Sequence, residues 1–228
     1  MYPLALRWMR AQRRYAMIET RMALRDDVRA ERAELLRVLE PLEPARWDAM
    51  SLCTEWTVRD VVAHLVSYDS TNALAFVLLF TATGFSVSRT NGVLVRRWRR
   101  RPNDRLLAAL RRGPRGWSMT RVLGHRLALI DSFVHQQDIR RPLGLSRSVP
   151  SDRLLRLAEI MIRDRFGAGG AKRARALRFR ATDLDWASGT GPELHGPAEA
   201  LIMALAGRSI ALQDLAGEGV SVMSSRMQ

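Results

Sequence analysis

Three residues of this 228-residue chain could together bind a metal ion: His64, Asp131 and His135. Asp131 and His135 are four positions apart, so on a helix they project from one face, about one turn from each other. His64 lies in a separate apolar segment, VVAHL, which is typical of a second helix. Two imidazoles and one carboxylate suit a divalent metal that keeps open positions for water or a substrate. The sequence therefore predicts a metal site wherever these two helices meet.

Each of these residues also has a simpler interpretation. His64 could be a core histidine whose nitrogens are satisfied by its neighbours. Asp131 lies in an apolar stretch, LALIDSFVH, where burial of a carboxylate is unfavourable unless it is paired or binds a metal. A structural Asp131–His135 pair, each side chain orienting the other, is therefore the alternative to metal binding. His125 is almost three turns from His135, and the setting of His195 demands no ligand role.

Two further residues near these positions have open roles. Asp138 could hold the second imidazole nitrogen of His135, or it could pair with Arg140 or Arg141 at the helix end. Cys53, in SLCTEW, shows neither a nearby base nor a positive environment, which favours a small buried hydrophobe over a nucleophile. It is the only cysteine in the sequence, so no intramolecular disulfide can form, and a reducing compartment is expected.

Mostly helical elements must position these residues. Helical periodicity and breakers predict helices over about 15–39, 57–83, 93–101, 105–112, 118–137, 151–165 and 198–206. Thr57 is a good N-cap for the helix that carries His64, with Asp60 as its capping-box partner. Alternation over 177–182 predicts a half-buried strand, with shorter strands at 185–187 and 220–223. The prediction is a mainly α protein with a helical domain over 1–148 and a small α/β domain over 149–228.

The charge balance is strongly basic, with a formal net charge of +14. Nine arginines crowd into the segment Arg96–Arg115, which is either a solvated helix face or a surface for an acidic partner, nucleic acid or an anionic membrane. Only Lys172 among the 37 basic residues is a lysine. That bias indicates a high-GC coding sequence as well as any selection for phosphate contacts.

The chain shows no pattern typical of membrane insertion or export. Its longest strongly apolar run, Ala73 to Ala82, is too short to cross a bilayer. Met1 to Thr20 contains four arginines without an uninterrupted apolar stretch, unlike a signal peptide. A cytoplasmic location is expected, and the segment before Met22 is either an extension of the first helix or an overlong start.

Three motifs in order resemble one known family. They are SLCTEWTVRDVVAHL, HQQDIRRPLG and RATDLDWASGTGPELHGPAEALIMALAGR. Together they resemble the mycothiol-dependent maleylpyruvate isomerase family, one of the DinB-like metal-binding bundles of actinobacteria and their relatives. The resemblance covers about Met22 to Arg226. It implies a DinB-like four-helix bundle, followed by a small C-terminal α/β portion of sterol-carrier-like character.

The resemblance also implies an activity. Family members bind a divalent metal, commonly zinc, and motif positions assign His64, Asp131 and His135 as its ligands. A low-molecular-weight thiol, mycothiol, would add to a small electrophilic substrate, giving isomerisation or transfer of the thiol. Arg208 in LAGR matches an arginine that the C-terminal portion contributes near the cleft, a catalytic residue.

One position departs from the family pattern. The family's isomerases carry a glutamate where this chain has Asp131, whose side chain is one methylene shorter. The alternative function is a non-catalytic or regulatory bundle, binding nucleic acid or anionic partners through Arg96–Arg115.

Overall fold

The computed structural model describes residues 3–227, and the side chains of residues 21–227. Most of this part of the chain is helical, with short 3-10 turns at Pro44–Asp48 and Ser209–Asp214. The helices are α1 (Pro3–Leu39), α2 (Val58–Ser70), α3 (Ala73–Ala82), α4 (Val87–Arg99), α5 (Asn103–Arg112), α6 (Met119–Arg140), α7 (Ser151–Met161), α8 (Gly170–Ala174), α9 (Ala198–Leu205) and α10 (Gly219–Ser225). The strands are β1 (Arg178–Ala181), β2 (Ala187–Gly189) and β3 (Glu193–Gly196). The prediction of a mainly α protein with a small C-terminal sheet is confirmed.

The first of two compact units comprises residues Met1–Ala49 and Trp56–Ser132. Its core contains fully buried leucines of α1, α4 and α5, together with Trp47. As predicted, Thr57 caps α2, and the side chains of Thr57 and Asp60 each accept a hydrogen bond from the other's backbone N–H. This cap fixes where α2 begins, and therefore the helical turn on which His64 lies.

The helix predicted over 57–83 is two helices. α2 ends at Ser70, and the side chain of Asn72 accepts a hydrogen bond from the backbone N–H of Leu74, which starts α3. The backbone at Asn72 also forms a β-bridge with Ser118. The polar residues Asp69, Ser70 and Thr71 precede Asn72, whose local cap and bridge to a distant segment turn the backbone here.

The long helix α6 carries Asp131 and His135. It is helical from Met119 to Arg140 except at Gly124, whose φ of 84° kinks it near its beginning. Residues up to Ser132 belong to the first unit, and those from Phe133 onward belong to the second. The predicted helix over 118–137 is confirmed, extended by one turn at its end.

The second unit comprises residues Met50–Glu55 and Phe133–Gln228. Its sheet has the order β2-β1-β3, with β1 antiparallel to β2 and parallel to β3. Phe179 and Ala181 of β1 face the core while Arg178 and Arg180 face outward, as the alternation predicted. α9 lies against this core with nearly every residue buried.

The strand predicted over 220–223 is wrong, because that segment lies within α10. Four residues are too few for periodicity to separate a strand from a helix. The third strand of the sheet is instead β3, which the sequence analysis missed. Gly219 at the start of α10 packs so closely against Leu194 of β3 that a Cβ there would lie 2.3 Å from it.

The predicted domain division after residue 148 falls inside the second unit. Arg141, just beyond α6, forms ion pairs with Glu199 of α9 and with Asp214. Within the described residues, no single helix is both long and apolar enough to cross a membrane. Helices α3 and α4 satisfy this length and composition criterion only when taken together, and the chain bends by 118° between them.

Candidate functional site

In the first unit, α2 and α6 bring His64 and Asp131 together. His64 Nε2 lies 3.5 Å from Asp131 Oδ1. The His64 side chain is only 6% exposed, whereas that of Asp131 is 38% exposed. Asp131 is therefore only partly buried, and the cost of burying its carboxylate in the apolar stretch is correspondingly smaller. This contact brings together two of the three predicted ligands.

Aromatic rings fix the orientation of the His64 imidazole. The ring centroid of Trp56 lies 5.2 Å from that of His64, and Tyr68 meets it edge-on at 4.9 Å. The Tyr68 hydroxyl donates a hydrogen bond of 2.8 Å to Asn91 Oδ1. Burial raises the pKa of Tyr68, and the nearby charge of Asp131 raises it further. Tyr68 therefore stays a neutral phenol that holds its ring against His64.

In the second unit, Asp138 organises His135. His135 Nδ1 lies 2.9 Å from Asp138 Oδ2, and the Asp138 side chain is fully buried. Arg208 donates from Nε to Asp138 Oδ1 at 2.9 Å and from Nη2 to Oδ2 at 2.6 Å. Burial alone would raise the pKa of Asp138, but the hydrogen bonds and charges of His135 and Arg208 outweigh it and hold that pKa well below its usual range. Asp138 is therefore an ionised carboxylate.

An ionised Asp138 fixes the tautomer of His135. A carboxylate only accepts hydrogen bonds, so Nδ1 of His135 carries the proton and donates it to Asp138. The nitrogen that can coordinate a metal is then Nε2, as in carboxylate–histidine–metal arrangements. Of the two roles that the sequence left open for Asp138, the structure shows the contact with His135, whereas Arg141 pairs with Glu199.

Cys53 belongs to the same cluster, contrary to the sequence analysis. Its Sγ lies 3.1 Å from Asp138 Oδ2, 3.6 Å from His135 Nδ1 and 3.7 Å from Arg208 Nη2. A base and a positive charge are therefore both adjacent. Neither was visible in SLCTEW, because the partners are 82, 85 and 155 positions away along the chain. No local signal could have found this contact.

The Cys53 cluster supports His135 but is a poor cation site. Ligand atoms of Cys53, His135 and Asp138 lie within 4.8 Å of one another. However, Asp138 Oδ2 already accepts from Cys53, His135 and Arg208, and the guanidinium of Arg208 would repel a cation. Arg208, which the sequence predicts as a catalytic arginine, donates hydrogen bonds from two of its nitrogens to Asp138.

Within a mainly helical fold, the first unit thus carries the His64–Asp131 pair and the second unit carries His135 oriented by Asp138. Imidazole and carboxylate groups of this kind are common metal ligands in proteins. Residues 28–115 match the family model described as the mycothiol maleylpyruvate isomerase N-terminal domain. The matched part of the chain includes His64.

Solved structures share the fold of most of the chain. Two crystal structures of the mycothiol-dependent maleylpyruvate isomerase, one of them a histidine-to-alanine mutant, are each similar with a TM-score of 0.57 at 15% identity. Each alignment covers 88% of this chain and 92% of the isomerase chain. No curated protein sequence matches this chain significantly.

Proposed function

We infer that this protein is a metal-dependent isomerase or S-transferase that uses mycothiol, or a similar low-molecular-weight thiol, on a small electrophile such as maleylpyruvate. The observation that carries this function is the family match over residues 28–115, because it includes the motif that contributes His64. The fold shared with the mycothiol-dependent isomerase over most of both chains supports it. A cytoplasmic location, where such thiols stay reduced, accompanies this function.

The proposed metal ligands are His64, Asp131 and His135. The contact between His64 and Asp131, the one-turn spacing of Asp131 and His135 on α6, and the fixed Nδ1–H tautomer of His135 all suit that role. Two imidazoles and a carboxylate fit zinc, the proposed metal, among other divalent ions. When bound, such a metal is a Lewis acid that lowers the pKa of a coordinated thiol.

The chain's own residues supply orientation. Asp138 keeps the proton of His135 on Nδ1, and Arg208 keeps Asp138 ionised. Trp56 and Tyr68 hold the ring of His64 in place. The Cys53 thiol donates to Asp138, so the chain's only cysteine is engaged and the reacting thiol comes from outside. A direct role of Arg208 in acting on the substrate remains a prediction.

Asp131 is the weak point of this function, and a regulatory bundle is the competing outcome. An aspartate reaches less far than the glutamate of the family's isomerases, which favours weaker metal binding. The test is metal content after zinc reconstitution, together with mycothiol-dependent turnover of maleylpyruvate. His64→Ala is the test variant, and His125→Ala, which removes an exposed histidine of the same unit, is its matched control.

We expect about one zinc per chain and mycothiol-dependent turnover in the wild type and in His125→Ala, with both lost in His64→Ala. A zinc-loaded, folded wild type without turnover on any electrophile would indicate the regulatory function. A wild type that takes up no more zinc than His64→Ala would falsify the metal site itself.

A further inference from the structure

A second candidate binding site lies in the first unit, between α1, α5 and the beginning of α6. It is a groove of about 830 Å³, within the size range of small-molecule sites. Its floor is apolar and includes the buried residues Val28, Leu110 and Ala128. None of the residues proposed to bind the metal lines it.

The wall of this groove, hereafter the arginine groove, is strongly cationic. Six of its fifteen lining residues are arginines and none is acidic. At the arginine content of the whole chain, between two and three would be expected, because 36 of 228 residues are arginine. The groove therefore concentrates arginine beyond the general bias of the sequence. The arginines are Arg25, Arg29, Arg32, Arg111, Arg112 and Arg121.

Half of these guanidiniums are already neutralised. Ion pairs join Arg29 to Asp26, Arg32 to Asp69, and Arg111 to Glu40. Within the side chains described, residues 21–227, the other three make no ion pair or side-chain hydrogen bond. Arg25, Arg112 and Arg121 therefore keep their charge and donors available, and all three are exposed.

A flat aromatic surface adjoins the cationic wall. Arg112 and Gly113 also line a neighbouring hollow of about 330 Å³, which contains Trp117. Trp117 is 75% exposed, although its backbone carbonyl accepts a hydrogen bond from the backbone N–H of Ala73. Its ring is thus a stacking surface on an anchored backbone. Guanidiniums beside an exposed aromatic ring suit phosphates joined to a planar base.

We propose that the arginine groove binds an organic phosphate of the nucleotide class. Arg25, Arg112 and Arg121 bind the phosphates, and Trp117 stacks on the base. Guanidinium forks bind phosphate oxygens through pairs of charge-assisted hydrogen bonds, which gives the arginines their selectivity for this class. The apolar floor accommodates the uncharged part of the ligand. This site does not depend on the metal centre or on isomerase activity.

The test is isothermal titration calorimetry of the full-length protein with ADP, inorganic pyrophosphate and citrate at low salt. The variant Arg112→Gln/Arg121→Gln removes two groove charges. Its matched control, Arg105→Gln/Arg126→Gln, removes two exposed charges from the same helices, outside the groove. A third variant, Trp117→Ala, removes the stacking surface.

We expect one ADP molecule to bind per chain. The affinity for ADP should fall at least about tenfold in the groove variant and less than twofold in the control, because charge-assisted hydrogen bonds are lost only in the groove. Trp117→Ala should lower the affinity for ADP and leave the affinity for pyrophosphate unchanged. Citrate should bind to the wild type more weakly than pyrophosphate. The proposal is overturned if neither phosphate binds the wild type, or if the groove and control variants lose affinity equally. It is also overturned if a 20-base-pair DNA duplex binds while ADP does not, since a nucleic-acid surface then replaces a nucleotide site.

Discussion

The two histidines proposed as metal ligands are held by different physical means. In the first unit, the rings of Trp56 and Tyr68 contact the imidazole of His64, and its acidic neighbour Asp131 is partly exposed. In the second unit, His135 is oriented by Asp138, a fully buried carboxylate neutralised by Arg208. The first arrangement depends on ring packing and the second on charge. Substitutions should therefore affect the two regions differently.

The difference indicates which residues serve stability and which serve binding. A partly exposed carboxylate such as Asp131 costs little to remove, because water solvates what remains. A buried carboxylate with an arginine partner is costly to remove, because the arginine is left without compensation. The first three of the four predictions below test this contrast, and all four run from the largest expected effect to the smallest.

Asp138→Ala should lower the free energy of unfolding by about 3–5 kcal/mol, since it leaves the partly buried guanidinium of Arg208 unpaired. Asp131→Ala should cost less than about 1 kcal/mol, as expected for a partly exposed site. Urea denaturation of the metal-free variants measures both. Equal losses of stability in the two variants would contradict the assignment of Asp138 as a buried structural carboxylate and of Asp131 as a partly exposed ligand.

Asp138→Asn should weaken zinc binding by about 10- to 100-fold, because a neutral amide no longer fixes the proton on Nδ1 of His135. Competition with a chromogenic chelator measures the affinity. Cys53→Ala is the matched control in the same cluster, since it removes a different hydrogen bond to Asp138. Its affinity should stay within about twofold of the wild type, and a comparable loss there would assign the effect to packing.

Asp131→Glu should strengthen zinc binding by up to about tenfold, or about 1.4 kcal/mol, since the longer side chain matches the family's isomerases. Turnover should rise together with zinc affinity if the short side chain of Asp131 limits metal binding. The same chelator competition measures the change, with Asp131→Asn expected to bind more weakly than the wild type. A weaker Asp131→Glu variant would show that the shorter carboxylate already suits its position.

The smallest effect concerns Glu193, in an exposed charge network on the sheet. Desolvation acts to raise the pKa of Glu193, but Arg180 and Arg178 outweigh it and lower that pKa. The unfolded chain therefore binds the proton first, and the stability that Glu193 contributes above about pH 4.3 is lost as the pH falls through the lowered value. Thermal melts of the wild type and Glu193→Gln should differ slightly at pH 6 and converge near pH 3. A difference that survives 1 M salt would contradict an exposed, screened interaction.

Local sequence signals predicted most of the secondary structure. The capping residues Thr57 and Asp60 placed the beginning of α2, and strict alternation placed β1. The errors fell where long-range contacts decided the backbone. The helix predicted over 57–83 is divided at Asn72, whose backbone bridges to Ser118. Residues 220–223 form part of α10, and the third strand of the sheet is β3.

The candidate site was only partly predictable. The spacing of Asp131 and His135 and the motif around His64 identified three ligand candidates from the sequence. The exposure of Asp131 and the place of Cys53 beside Asp138 could not be predicted, because both depend on residues far away along the chain.

The sequence by itself determined the residue types that suit a metal, their helical phase and the resemblance to one family, because these depend on spacing over a few turns. Only the tertiary structure decided which charges neutralise one another. Arg208 lies 70 positions from Asp138, yet it keeps that buried carboxylate ionised and so sets the proton position on His135. In the arginine groove it likewise decided which guanidiniums are paired and which remain available. Electrostatic interactions depend on distance and burial in space, and neither can be deduced from the order of residues.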